Sequence, residues 1–141
     1  MAHEHRLHDA DGHVKGRCDD FTGLPDLLIV GHETRIDHGT MFYKAVKSGI
    51  VDPLTSVQVG IRTTNPDTLG VTTIDARAVH EQGPAAAVAR IKEVLGDRPA
   101  YLTFDIDAFD PAYAPGTGTP VWGGLTSAQT AIMLRDLAGI N

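Results

Sequence analysis

Residues 101–107, with the sequence YLTFDID, decide how the fold is interpreted. Side chains on a β-strand point to opposite faces in turn, and apolar and polar residues alternate here as a strand requires. Asp105 and Asp107 are then expected on one face, and the apolar residues on the other. Two carboxylates this close repel each other unless a proton or a cation lies between them. The spacing favours a divalent metal, and the alternative is a pair of solvated aspartates that cap loop amides.

The segment that follows, residues 108–120 (AFDPAYAPGTGTP), is rich in glycine and proline. Such a composition is typical of a loop with a defined shape. Ligands of open α/β sheets gather at the carboxyl ends of strands, where Asp105 and Asp107 would lie. We therefore expect the loop to form the rim of a site.

Further strands are predicted at the apolar run of residues 27–30, at the alternating residues 57–61 and at residues 71–74. Residues 1–26 contain several histidines but show no period, which predicts a poorly structured tail. The predicted organisation is thus a tail followed by one partial α/β domain, residues 27–141.

Two helices are predicted among these strands. The clearer one lies between residues 80 and 99, where Pro84 can occupy the first turn and apolar residues recur every three or four positions. Thr126 and Gln129 have the form of a capping box that opens a last helix through about Leu137. Strands that alternate with helices indicate a parallel sheet of the α/β class. A further strand would normally follow the last helix, so we expect the chain to be a piece of a larger domain.

Composition excludes several classes of partner. The net charge of -6 offers no basic patch for nucleic acid or for an anionic membrane surface. No run approaches the roughly 18 apolar residues that span a bilayer, and the start of the chain lacks a secretory signal. Cys18 is the single cysteine, which favours a reducing compartment. We expect a cytoplasmic protein.

A long stretch carries a resemblance to a known family. Residues 104–126, FDIDAFDPAYAPGTGTPVWGGLT, are similar to the signature of the ureohydrolases, which include arginase, agmatinase and related guanidino-acid hydrolases. The resemblance continues upstream through residues 35–53 (RIDHGTMFYKAVKSGIVDP) and 56–63 (SVQVGIRT). Residues 37–42 look more like agmatinase than arginase.

The resemblance implies a fold and a set of site residues. The fold would be a three-layer parallel sheet of the arginase type, here incomplete. Asp105 and Asp107 would bind manganese, of which the complete family site holds two ions. His38 would relay protons beside the substrate, and Asp110 would organise the loop together with Pro111. On its own, a histidine before Gly-Thr is more often a structural residue near the start of a helix.

The implied activity is hydrolysis of a guanidino group, with agmatine giving putrescine and urea. The substrate would be a small cationic guanidino compound, with arginine or a guanidino acid as the alternative, and the family suggests a homo-oligomer. The family's other metal ligands lie in Gly-Asp-His and Asp-Ala-His-Xaa-Asp segments, which this sequence lacks. We therefore expect the chain alone to form no binuclear site and to be inactive. The competing hypothesis is a catalytically dead remnant or interaction domain.

Overall fold

The computed structural model describes residues 40–63 and 67–138. The predicted tail (1–26), the predicted strand at residues 27–30 and His38 lie outside these residues, so those expectations stay predictions. The described elements are helices α1 (Met41–Lys47), α2 (Ala76–Gln82), α3 (Pro84–Leu95) and α4 (Ser127–Asp136), strands β1 (Val57–Ile61) and β2 (Thr72–Asp75), and short 3-10 turns at Pro53–Thr55 and Ile106–Ala108.

Strands β1 and β2 form a parallel pair, which confirms both strand predictions for this part of the chain. Their register runs from the pair Val57–Thr72 to the pair Ile61–Asp75 and shifts once near the end of β1. Gly60 lies at this shift with a φ of 88°, a backbone conformation that glycine adopts without steric cost. The end of β1 is therefore bent away from a regular ladder.

Gly60 also allows a close approach of another segment. A Cβ atom at this position would lie 3.2 Å from Cδ1 of Leu125, which is only 2% exposed. The same Cβ would lie 3.6 Å from Cβ of Ala108. The missing side chain thus lets the chain around residues 108 and 125 pack directly against the end of β1.

The helix predicted between residues 80 and 99 is confirmed as α3, with Pro84 at its first position and Gly96 as its C-cap. His80, however, belongs to the separate helix α2, which was not predicted. Gly83 has a φ of 85° and lies between the two helices, so the helical hydrogen-bond ladder is interrupted there. Two short helices replace one longer helix as a result.

Helix α4 begins with the predicted capping box. The Gln129 amide donates to the Thr126 hydroxyl over 3.1 Å, and the Thr126 amide donates to Gln129 Oε1 over 3.0 Å. These two bonds satisfy amides that have no partner inside the helix. The helix ends at Asp136 with Leu137 as its C-cap, as the sequence predicts.

The core forms where the helices meet the sheet. Helix α2 packs against both strands and against α3, and α3 packs against α4. Burial of apolar surface is the main favourable contribution to such an arrangement. The α/β class is therefore confirmed for the described residues. The buried apolar residues are Ile74, Ala76, Val79, Ala87, Val88, Ile91, Leu125 and Met133.

The strand predicted at residues 101–107 is wrong. Residues 101–105 have no regular secondary structure, and Ile106–Ala108 forms a 3-10 turn. A strand needs a neighbour for its backbone hydrogen bonds, but within residues 40–63 and 67–138 β1 and β2 pair only with each other. The apolar residues of the segment consequently stay exposed, with Leu102 at 61% and Phe104 at 47%. The argument that alternation alone places Asp105 and Asp107 on one face fails with the strand.

Among the described residues, no helix combines the length and the apolar character needed to cross a bilayer.

Val79 tests the described core, because its side chain is fully buried at the centre of α2. Replacing Val79 by alanine removes two methyl groups from a packed interior, and we expect a loss of about 2 kcal/mol in the free energy of unfolding. Chemical denaturation followed by circular dichroism measures it. Ile132→Ala in α4 is the control, since that side chain is 44% exposed and should cost clearly less. Equal losses in both variants would contradict this core.

Candidate metal-binding turn

Asp105 opens a tight turn, residues 105–108, that is called the aspartate turn below. Its Oδ1 accepts a hydrogen bond from the Asp107 amide over 3.0 Å, so Asp105 caps the 3-10 turn that follows. A side-chain oxygen that accepts from the amide two residues later is a standard way to stabilise a turn. The Asp105 carboxylate is therefore held against the backbone of Asp107 by turn geometry, not by a strand.

Asp107 has two carboxylate oxygens in different surroundings. Oδ2 accepts a hydrogen bond from the hydroxyl of Thr119. Oδ1 is buried and has no hydrogen-bond partner among the described residues. Buried polar atoms are nearly always paired, because an unpaired one keeps the cost of losing its water. Asp107 Oδ1 is therefore the atom at which a cation would compensate an existing deficit.

Carboxylate oxygens are suitable ligands for hard divalent ions such as manganese. Asp105 and Asp107 supply such oxygens, and the deficit at Asp107 Oδ1 fits a cation. Within residues 40–63 and 67–138, however, no group of three or more His, Cys, Asp or Glu side chains could hold a metal ion. A metal held by Asp105 and Asp107 would therefore need further ligands from outside the described residues. His38 cannot be compared with them, because it lies outside the described residues.

Asp110 organises the loop after the aspartate turn, as the resemblance implied. Its Oδ1 accepts from the amide of Ala112 over 2.9 Å, in the turn that begins at Pro111. Its Oδ2 accepts from the amide of Gly123 over 2.7 Å and from that of Gly124 over 3.2 Å. One carboxylate therefore joins both ends of residues 109–125, which we call the return loop.

These contacts lower the pKa of Asp110. The amide of Ala112 contributes most to holding its pKa below the ordinary value, the amides of Gly123 and Gly124 and the charge of Arg62 act in the same direction, and burial opposes them. A lowered pKa in the folded protein means that the contacts contribute stability above the unfolded-state pKa. That contribution is lost as the pH falls through the folded-state pKa.

The return loop is closed by backbone pairing at its base. The Leu125 amide donates to the Ala108 carbonyl over 2.9 Å, and the Asp110 amide donates to the Leu125 carbonyl over 3.0 Å. Phe109 forms the bridge with Leu125 and packs edge-to-face on Phe104, with the ring centroids 5.4 Å apart. The aspartate turn lies between Phe104 and Phe109, so the contact of the two rings holds the two ends of the turn close together.

Arg62, directly after β1, was not among the candidate residues from the sequence. Its guanidinium group donates to backbone carbonyls of both the aspartate turn and the return loop. Burial lowers the pKa of Arg62, and the charges of Asp110 and Asp107 offset part of this effect. The signal that could have found it is an arginine at the end of a strand, a position from which its five N–H groups can reach neighbouring loops.

His80 was likewise missed as a residue near this loop. Its Nε2 lies 3.1 Å from the Gly124 carbonyl oxygen, and Gln129 Nε2 lies 3.3 Å from its Nδ1. A tautomer with the proton on Nε2 donates to the carbonyl and accepts from the Gln129 amide group. The ring thereby links the end of the return loop to the capping box of α4.

Gly124 provides a steric test of the closed return loop. A Cβ atom there would collide with the backbone nitrogen of Asp110 and lie 2.6 Å from the carbonyl oxygen of Phe109. We expect Gly124→Ala to lower the free energy of unfolding by roughly 1–3 kcal/mol, as overpacking does. Gly118→Ala is the matched control, because nothing lies within 4 Å of a Cβ at that position. If thermal unfolding shows the two variants equally stable, the loop does not close in this way.

The chain is similar to proteins of known family. The model of the arginase family matches residues 26–141. The agmatinase of Chromobacterium violaceum is 57% identical over 130 residues, which cover 92% of this chain and 38% of that protein. The agmatinase of Proteus mirabilis is 54% identical over 108 residues, which cover 77% of this chain and 35% of that protein. The chain thus spans less than two-fifths of the length of these curated relatives.

Solved structures share the fold. A hypothetical agmatinase from Burkholderia thailandensis superposes with a TM-score of 0.78 at 55% identity, over 85% of this chain and 38% of that one. Proclavaminate amidino hydrolase from Streptomyces clavuligerus gives a TM-score of 0.70 at 38% identity, over 77% and 38% of the two chains. The described strands and helices are therefore an incomplete α/β fold of the arginase type. Because the arginase family model matches residues 26–141, which are most of this chain, the chain belongs to the arginase family.

Proposed function

We propose that this chain is part of a manganese-dependent enzyme that hydrolyses agmatine to putrescine and urea. The observation that carries the metal part of the proposal is the buried, unpaired Oδ1 of Asp107. The substrate part rests on the similarity to two agmatinases at more than 50% identity.

Asp105 and Asp107 are the residues that we propose to hold manganese. When bound, such ions would supply Lewis acidity and would lower the pKa of a water molecule. The role of Asp107 is to present a carboxylate oxygen whose direction is already set by the bond from Thr119 to its other oxygen. Asp105 uses one oxygen to cap the turn, which leaves its second oxygen for the cation.

The reaction replaces a carbon–nitrogen bond of the guanidinium group by a carbon–oxygen bond from water, and the amine leaves with a proton. We propose His38 as the group that relays the proton, on the family resemblance alone. Homo-oligomer formation is proposed on the same basis.

For the isolated chain we propose that turnover is absent. The supporting observation is that residues 40–63 and 67–138 contain no cluster of three or more ligating side chains. Metal affinity falls about 10–100-fold even when a residue that only supports a ligand is lost, so a partial shell is expected to bind weakly. A role as an interaction or structural domain is the competing function for the isolated chain.

Urea release with added manganese tests the proposal, with agmatine, arginine and 4-guanidinobutyrate as substrates. We expect the longer enzyme that contains this segment to act on agmatine, and Asp107→Asn to lower its kcat/KM by at least about 100-fold, because a direct ligand is lost. Asp97→Asn is the control, since that exposed carboxylate lies after α3, outside the aspartate turn. The isolated chain should release no urea.

Two results would contradict parts of this proposal separately. Urea from arginine but not from agmatine would overturn the substrate assignment and leave the metal assignment standing. Manganese-dependent turnover by the isolated chain, abolished by Asp107→Asn, would show that the partial shell is sufficient.

A further inference from the structure

We propose that Arg62 is a positioning residue for Asp107. Its guanidinium group holds the main chain of the aspartate turn so that the unpaired carboxylate oxygen of Asp107 is presented in one direction. The inference rests on the proposed metal site, and it adds a residue with no ligating atom of its own to that site.

The shortest contacts of Arg62 come from one nitrogen. Its Nη2 donates to the carbonyl of Asp107 over 2.8 Å and to the carbonyl of Val121 over 2.8 Å. One group therefore spans the space between the aspartate turn and the far end of the return loop. These bonds connect positions 45 and 59 residues away in sequence, so local chain preferences cannot replace them.

The other terminal nitrogen ties the same group to the sheet. Nη1 donates to the Gly60 carbonyl over 3.1 Å, and a longer contact of 3.4 Å reaches the Ala108 carbonyl. The sheet packs in the core through Ile74 of β2. The backbone of Arg62, which directly follows β1, is therefore held in place by the sheet. Arg62 thus connects the aspartate turn to the sheet, and support by a rigid element is what a preorganised site requires.

Arg62 and Thr119 act on different parts of Asp107. Arg62 holds the backbone carbonyl, whereas the Thr119 hydroxyl holds Oδ2 of the carboxylate. A side chain fixed at only one of these points could still rotate or shift. Together the two contacts leave Oδ1 as the one carboxylate oxygen of Asp107 without a partner among the described residues.

Lysine cannot take over this task. The guanidinium group is planar and carries five N–H donors in a fixed fork, whereas lysine has a single nitrogen on a flexible stem. Carbonyls on three separate segments can be reached at once only by the fork. Arg62→Lys therefore keeps the charge and removes the geometry, which makes it the informative substitution.

Manganese titration of the purified chain tests the inference, with the broadening of backbone amide signals in the NMR spectrum as the readout. In the wild-type chain we expect saturable broadening centred on the aspartate turn, which Asp107→Asn removes. Arg62→Lys should weaken the apparent manganese affinity about 10-fold, as the loss of a group that supports a ligand does.

Two control variants separate positioning from general destabilisation. Val79→Ala destabilises the core without touching the turn, and its affinity should stay within about twofold of the wild type while the chain is folded. Arg77→Lys changes an arginine of an exposed pair with Glu81 and should have no effect. Circular dichroism at the temperature of the titration shows that each variant is folded.

Each alternative result has its own meaning. If Arg62→Lys binds manganese like the wild type, or Val79→Ala loses as much affinity, the positioning role is wrong while the metal site stands. If the wild-type chain shows no broadening that depends on Asp107, the proposed metal site is wrong, and the inference about Arg62 falls with it.

Discussion

Closure of the return loop is the constraint on which the candidate site depends. Two backbone hydrogen bonds pair Leu125 with Ala108 and Asp110, and the Leu125 side chain is inserted in the core beside Gly60. The pairing costs chain entropy, because a long loop must be held shut. Burial of the Leu125 side chain offsets part of that cost, and the hydrogen bonds that the Asp110 carboxylate accepts offset a further part. Asp107 directly precedes the closure, so its position is set by the core as much as by its own turn.

The polar side chains that hold the loop form their hydrogen bonds mostly with backbone atoms. Asp110 accepts from amides, Arg62 donates to carbonyls, and the His80 ring lies against the Gly124 carbonyl. Backbone groups in a loop have no ladder to satisfy them, so side chains must do so where water is excluded. Such a loop can be rigid without regular secondary structure, which suits a site that must present single oxygen atoms.

Local patterns in the sequence were sufficient for part of the fold. Alternation predicted β1, and the short segment 71–74 predicted β2. Proline and glycine marked α3, and the Thr126–Gln129 pair predicted the start of α4, because each signal acts within a few residues. The strand at residues 101–107 failed, since a strand depends on a neighbour that a local pattern does not specify. Helix α2 was missed although Asp75 caps it through the Ala78 amide.

In the candidate site, too, local patterns identified some residues and missed those whose contacts are distant in sequence. Asp105, Asp107 and Asp110 were found because they stand together in one motif, and the hydrogen bonds of Asp110 agree with its implied role. Arg62 and His80 were missed because their contacts join distant positions that no spacing rule connects. The metal role of Asp105 and Asp107 is still a prediction. Crystals grown with manganese would test it by anomalous diffraction: a peak coordinated by Asp107 Oδ1 is expected, and a bound protein donor at Oδ1 with no peak beside it would contradict the site.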